Sequence, residues 1–176
     1  MGNFEFRGIN HLALVCRDMK KTITFYRDIL GMPLTKTVTL PSGHGQHFFF
    51  DCGGGDQLAF FWFSDAPESQ PGVTTAKNLV TKGDITTAHG SMNHVAFDVP
   101  LERMDDYKQR LKQAGLECTD VYHDDSEQGI GQELNKSTFI RSIYFKDPDG
   151  ILLELASWTR ELTLEDVNVE PMNLED

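Results

Sequence analysis

The chain spells nearly the same strand twice. Gly8-Ile-Asn-His-Leu-Ala-Leu-Val and Ser91-Met-Asn-His-Val-Ala-Phe-Asp align residue for residue around His11 and His94. Each is followed by an amphipathic segment that closes on glycine, at Leu30-Gly31 and at Ala114-Gly115. A duplicated unit places its equivalent residues about a pseudo-two-fold axis, so the two histidines can face one another across the joint between the copies. The fold must therefore hold two similar units with their first strands in equivalent places. A metal shared by the two histidines is the leading functional expectation.

The rest of each copy can be read from its periodicity. In the first, an apolar strand at Ile9 to Val15 is followed by a helix with Asp18 as its cap. Met19, Ile23, Tyr26 and Leu30 recur on one side of that helix, and Gly31-Met32-Pro33 ends it. Strands are expected at Leu34 to Leu40, Gln46 to Cys52 and Gln57 to Phe63, the last two hinged by Gly53-Gly54-Gly55-Asp56. The second copy runs from a strand at Met92 to Val99 through a helix from about Leu101 to Ala114. Its later strands are expected at Glu117 to Tyr122, Thr138 to Phe145 and Ile151 to Ser157. Both copies thus have the order βαβββ, and the fold class expected is α+β. The boundaries are a first module at about residues 7–64, a connection at 65–90, a second module at about 91–158 and an acidic tail at 159–176, all in one domain spanning 1–176. Within the second copy, the polar segment His123 to Lys136 is read as a loop over a pocket mouth or as a plain surface insertion.

Composition removes several classes of function. At 176 residues, with 39% hydrophobic and 24% charged residues, the chain has the make-up of a globular protein with a full core. A net charge of −11 repels phosphate backbones, so nucleic acid is not expected as a partner. No apolar run approaches the roughly 20 residues of a membrane helix. The first residues resemble no secretory leader, so the cytoplasm is the expected compartment and no membrane partner is expected. Cys16, Cys52 and Cys118 form no Cys-x-x-Cys pair and are read as packed, reduced thiols.

The chemistry concentrates on three residues. Side chains alternate faces along a strand, so His11 shares its face with Ala13 and His94 with Ala96, and small neighbours leave room beside each ring. Glu154 lies within Ile151-Leu-Leu-Glu-Leu-Ala156, where a carboxylate is costly to bury unless a cation or hydrogen bonds compensate it. Two imidazoles and one carboxylate leave positions free for water and substrate, an arrangement favoured for Fe(II) and compatible with Zn, Mn, Ni or Co.

These residues, with Phe25-Tyr26-Arg-Asp-Ile-Leu-Gly31 and Tyr144-Phe-Lys-Asp-Pro-Asp-Gly150 ahead of Glu154, closely resemble the vicinal oxygen chelate superfamily over about Arg7 to Trp158. That superfamily contains glyoxalase I, type I extradiol ring-cleaving dioxygenases, and the fosfomycin and bleomycin resistance proteins. The resemblance implies paired βαβββ modules whose curved mixed sheets form an open barrel around a divalent metal, with His11, His94 and Glu154 at the metal positions. It also implies that Phe60 falls at or near the position where glyoxalases carry a further ligand, which this chain lacks. Ile143-Tyr144 through Glu154 is similar to the extradiol signature, in which the tyrosine contacts the bound catecholate. Two histidines of that signature are replaced, by the stretch Asn135-Lys136-Ser137 and by Asp56 or Gln57. His123 or His47 is left as the acid–base substitute.

The reading is a metal-dependent enzyme, a homodimer by default, whose small substrate chelates the metal through two neighbouring oxygens. Ring cleavage of a catechol-like substrate with Fe(II), assisted by Tyr144 and His123, is placed first. The alternatives are a glyoxalase-type isomerase, epimerase or lyase, and a metal-free binding or resistance protein with Phe60, Trp62 and Tyr144 lining a ligand pocket.

Overall fold

A computed structural model describes residues 4–173. Four strands of the first module form one mixed sheet: β1 (His11–Val15), β2 (Leu34–Thr39), β3 (Gly45–Gly53) and β4 (Asp56–Phe63), in the order β1-β4-β3-β2. The second module forms another from β5 (His94–Asp98), β6 (Cys118–Asp124), the short β7 (Ile130–Gly131), β8 (Thr138–Lys146) and β9 (Leu152–Trp158), in the order β5-β9-β8-β6-β7. In each sheet the first strand runs parallel to the last and lies at an edge, while the other pairings are antiparallel. The expected α+β class and paired βαβββ order therefore stand. The sheets do not close into a barrel within one chain.

Each sheet has one face covered by a helix. Helix α1 (Met19–Ile23) starts at Asp18, whose carboxylate accepts from the backbone N–H groups of Lys20 and Lys21. From Thr24 to Ile29 the helix widens into a π turn, with Leu30 N–H reaching Phe25 O at 3.0 Å. A wider turn shifts the apolar stripe, so Phe25 and Tyr26 both enter the core, where Tyr26 meets the rings of Phe50 and Phe60. Gly31 then ends the segment at φ +78°, a left-handed conformation that costs glycine little. Helix α2 (Met104–Gln113), entered through a 3₁₀ turn at Leu101–Arg103, buries Met104 and Leu111.

One core joins the modules. Met19, Phe25, Tyr26, Phe50, Leu58 and Phe60 pack in the same cluster as Phe97, Met104, Leu111, Ile143, Phe145 and Leu153. The joint is pinned where Tyr26 Oη donates to Asp147 Oδ2 at 3.1 Å and Arg17 N–H donates to Asp149 Oδ1 at 3.1 Å. Asp147 is buried, and burial foremost, with Asp149 nearby, pushes its carboxyl up to about 6, against hydrogen bonds from the backbone and Tyr26 that favour the anion. No helix among the described residues is long and apolar enough to cross a membrane.

Candidate metal centre

The faces turned away from the helices carry the polar chemistry. On the second sheet, β5 places His94 and Ala96 on the open face, and parallel pairing sets Ala96 beside Glu154. The β8–β9 hairpin, turning at Asp147-Pro148-Asp149-Gly150, sets Tyr144 directly opposite Glu154. Ser142 precedes Tyr144 by two residues and so shares its face.

Glu154 is only 3% exposed, in a strand where Leu152, Leu153, Leu155 and Ala156 flank it. Its charge is compensated on both oxygens: Ser142 Oγ donates to Oε1 at 2.5 Å, and His94 Nε2 lies 2.9 Å from Oε2. Burial opposes ionisation, but these contacts outweigh it and hold the carboxyl below its usual value. Tyr144 is buried too; burial and the nearby Glu154 raise its phenol well above the usual tyrosine value, keeping it a protonated donor. Its hydroxyl lies 3.0 Å from His123 Nε2, and burial lowers the pKa of that imidazole. His123 is thus not in a loop, as its polar surroundings suggested. It sits on β6, and the loop starts beyond it.

The Asn-His pair behaves alike in both copies. Asn93 Oδ1 lies 2.8 Å from His94 Nδ1, and Asn10 Oδ1 lies 2.8 Å from His11 Nδ1. In each pair Nδ1 is occupied and Nε2 is directed elsewhere, the usual preparation of an imidazole that binds a metal through Nε2. The structure brings His94, Glu154, Tyr144 and His123 together. His11 stands apart on the first sheet, beside Phe49 at 5.6 Å between ring centroids. Among the described residues no group of three His, Cys, Asp or Glu side chains in one chain could hold a metal.

Two aromatic residues expected at a pocket are core residues instead. Phe60 is fully buried against Tyr26, and Trp62 packs on the core and donates from Nε1 to Arg17 O at 3.1 Å. Strand pairing puts their neighbours on the open face: Phe61 stacks on His47 at 3.6 Å, Phe63 on Phe61 at 5.3 Å, and Phe49 lies 4.3 Å from His47. Ser142 was missed by sequence reasoning. A cavity of about 510 Å³ between the modules, lined by Leu30, Met32, Phe97, Tyr107, Leu111 and Leu155 among others, contains none of the candidate site residues.

Comparison with known proteins places the fold. The Glyoxalase/Bleomycin resistance protein/Dioxygenase superfamily matches residues 8–155. Metallothiol transferase FosB of Shouchella clausii is 27% identical over 153 residues, 86% of this chain and 81% of that protein. Fosfomycin resistance protein FosX of Listeria monocytogenes is 27% identical over 158 residues, 90% of this chain and 95% of its own length. A FosX variant crystallised with Mn(II) and 1S,2S-dihydroxypropylphosphonic acid shares the fold at a TM-score of 0.55 and 22% identity, covering 88% of this chain and 95% of that one. A putative ring-cleaving dioxygenase of Bacillus subtilis, MhqE, is 28% identical over 113 residues, which are 62% of this chain but only 32% of that protein. The chain belongs to the glyoxalase, bleomycin resistance protein and dioxygenase superfamily.

Proposed function

We propose that this member of the superfamily is a divalent-metal-dependent enzyme, active as a homodimer, in which His94 and Glu154 of one copy and His11 of a second copy hold the metal. The observation that carries the reading is the half-site itself: an Asn-oriented imidazole 2.9 Å from a buried carboxylate, with an identically oriented imidazole at the equivalent position of the other module. A hard carboxylate oxygen and two imidazole nitrogens suit Fe(II), Mn(II) or Zn(II). The second copy is supported by topology. Strands β1 and β5, which begin with the two histidines, are both edge strands, and edges invite pairing. Under two-fold symmetry β1 of each copy meets β5 of the other, so both edges are covered and the assembly closes.

When bound, a divalent ion supplies Lewis acidity to two neighbouring substrate oxygens and, as Fe(II), reactivity toward dioxygen. The chain's own part is to bind, orient and move protons. Tyr144 donates its hydroxyl hydrogen to a substrate oxygen beside Glu154, and neutral His123 behind it, donating from Nε2 to the phenol oxygen, aims that hydrogen and can replace it once it has moved to the substrate. Beside His11, the half-buried Phe49, Phe61, Phe63 and His47 offer a flat apolar face suited to a planar ring. On the second sheet, Lys146 is committed to the carbonyls of Ala76 and Lys77, and Arg141 and Lys108 to Asp120. This balance favours ring cleavage of a catechol-like substrate with Fe(II). A second reading, transfer chemistry of the FosB kind, is favoured by the greater span of that relative.

The test is metal content together with oxygen uptake. One metal per chain, lost in His11→Ala, His94→Ala and Glu154→Ala alike, supports the site; retention in any of the three overturns it. Oxygen consumption by the Fe(II) form with a catechol supports ring cleavage, and thiol transfer without oxygen uptake supports the second reading.

A further inference from the structure

The connection between the modules is polar in sequence, yet it folds against the site. Ala76, Leu79 and Val80 are buried in one cluster with Val121, Tyr144 and Leu152. Lys146 Nζ fastens the segment by donating to the carbonyls of Ala76 and Lys77 at 2.7 and 2.9 Å. At its far end Asn93 Nδ2 donates to the carbonyl of Ile85 at 2.7 Å.

That last bond decides which way the Asn93 amide points. A backbone carbonyl can only accept, so the amide nitrogen must face Ile85 and the amide oxygen must face His94. Since Asn93 Oδ1 lies 2.8 Å from His94 Nδ1, that ring nitrogen carries a hydrogen; Nε2 faces Glu154, donating to it in the metal-free chain and free to exchange that proton for an incoming ion. The first module has the same Asn-His contact without the anchor. Asn10 is exposed, and among the described residues no protein acceptor holds its amide nitrogen. Its amide can turn over, and His11 can follow with either tautomer.

We propose that the connection between the modules presets His94 for metal binding, with Asn93 as the positioning residue held by the Ile85 carbonyl. The purpose rests on the metal reading above; the relay from Ile85 through Asn93 to His94 stands on geometry alone. It makes the two histidines unequal: His94 is oriented within a single chain, and His11 becomes fixed only in the assembled site.

The test uses full-length protein labelled with ¹⁵N-histidine, metal-free and Zn(II)-loaded. The expected result is a protected Nδ1–H resonance from His94 in both forms. In Asn93→Ala that resonance is lost to solvent exchange and Zn(II) affinity falls by about 10–100-fold. A wild-type His94 without the Nδ1–H signal overturns the proposal, as does a signal unchanged in a folded Asn93→Ala. Should Asn93→Ala fail to fold, the wild-type Asn93 carboxamide decides in protein labelled with ¹⁵N-asparagine: an Nδ2 H₂ pair that exchanges with water as fast as that of Asn10 overturns the relay. A protected Nδ1–H in wild-type protein that binds no Zn(II) overturns the metal reading while leaving the relay in place, so the two failures are distinguishable.

Discussion

Removing the Ser142 hydroxyl should cost stability out of proportion to the one atom lost. Ser142 is fully buried, and its Oγ lies 2.5 Å from Oε1 of a carboxylate that is itself 3% exposed. Alanine fits the same space but leaves a buried anionic oxygen short of a donor. A hydrogen bond to a charged group contributes about 1.5–3 kcal/mol, so Ser142→Ala should destabilise the protein by about that amount. The direction of the Glu154 shift gives the same sign: the hydroxyl helps hold the carboxyl below its usual value, and its removal moves the group toward neutrality. Replacing both partners should be cheaper than the separate changes imply, because Glu154→Gln leaves no buried charge behind. Denaturant unfolding at pH 7, fixed protein concentration and chelated metal would measure the wild type, the two single variants and the double variant. A loss below about 0.5 kcal/mol for Ser142→Ala, or strict additivity in the cycle, would refute the assignment of Ser142 as the donor that makes burial of Glu154 tolerable.

Tyr144→Phe should leave metal content and unfolding midpoint nearly unchanged while lowering kcat by about one to two orders of magnitude, the equivalent of a lost hydrogen bond to a charged oxygen; unaltered kinetics would return Tyr144 to a packing role. The Asp147 carboxyl, raised by burial to about 6, titrates higher in the folded than in the unfolded chain, so its contribution to stability is fully present below about pH 4 and is lost as pH rises through 6. The difference in unfolding free energy between wild type and Asp147→Asn, measured from pH 4 to pH 7.5, should therefore shift by about 2 kcal/mol against the wild type. A flat difference would show that the Tyr26 and backbone hydrogen bonds fully compensate burial.

Much of this arrangement was legible in the residues. The repeated Asn-His strand announced two equivalent modules, Asp18 marked the start of α1, and the strands expected at Thr138 to Phe145 and Ile151 to Ser157 are β8 and β9, which pair Tyr144 with Glu154. Strand β4 misled because it is apolar on both faces. Alternation carries no signal there, and only pairing with β3 and packing on Tyr26 decide that Phe60 faces the core and Phe61 does not. His123 was hidden by the polar residues after it, although it lies on a strand that runs to Asp124. In the connection, three buried apolar residues were masked by serines, prolines and threonines around them. A π turn leaves no mark in a periodic pattern built for 3.6 residues. Most consequentially, a duplicated sequence is equally satisfied when its two histidines meet within a chain or between chains. In this chain the two histidines lie on separate sheets whose β1 and β5 edges are free, and the two-copy proposal rests on those edges.

The shared site is tested most directly by mixing two defective proteins. His11→Ala and His94→Ala copies, unfolded together and refolded at equal concentration, form mixed dimers that contain one site with His11, His94 and Glu154 all intact. Random pairing makes half of the dimers mixed, so about a quarter of the wild-type metal content and turnover should return, although each variant alone has none. No recovery in dimers shown by mass spectrometry to be mixed would contradict a site built from two copies.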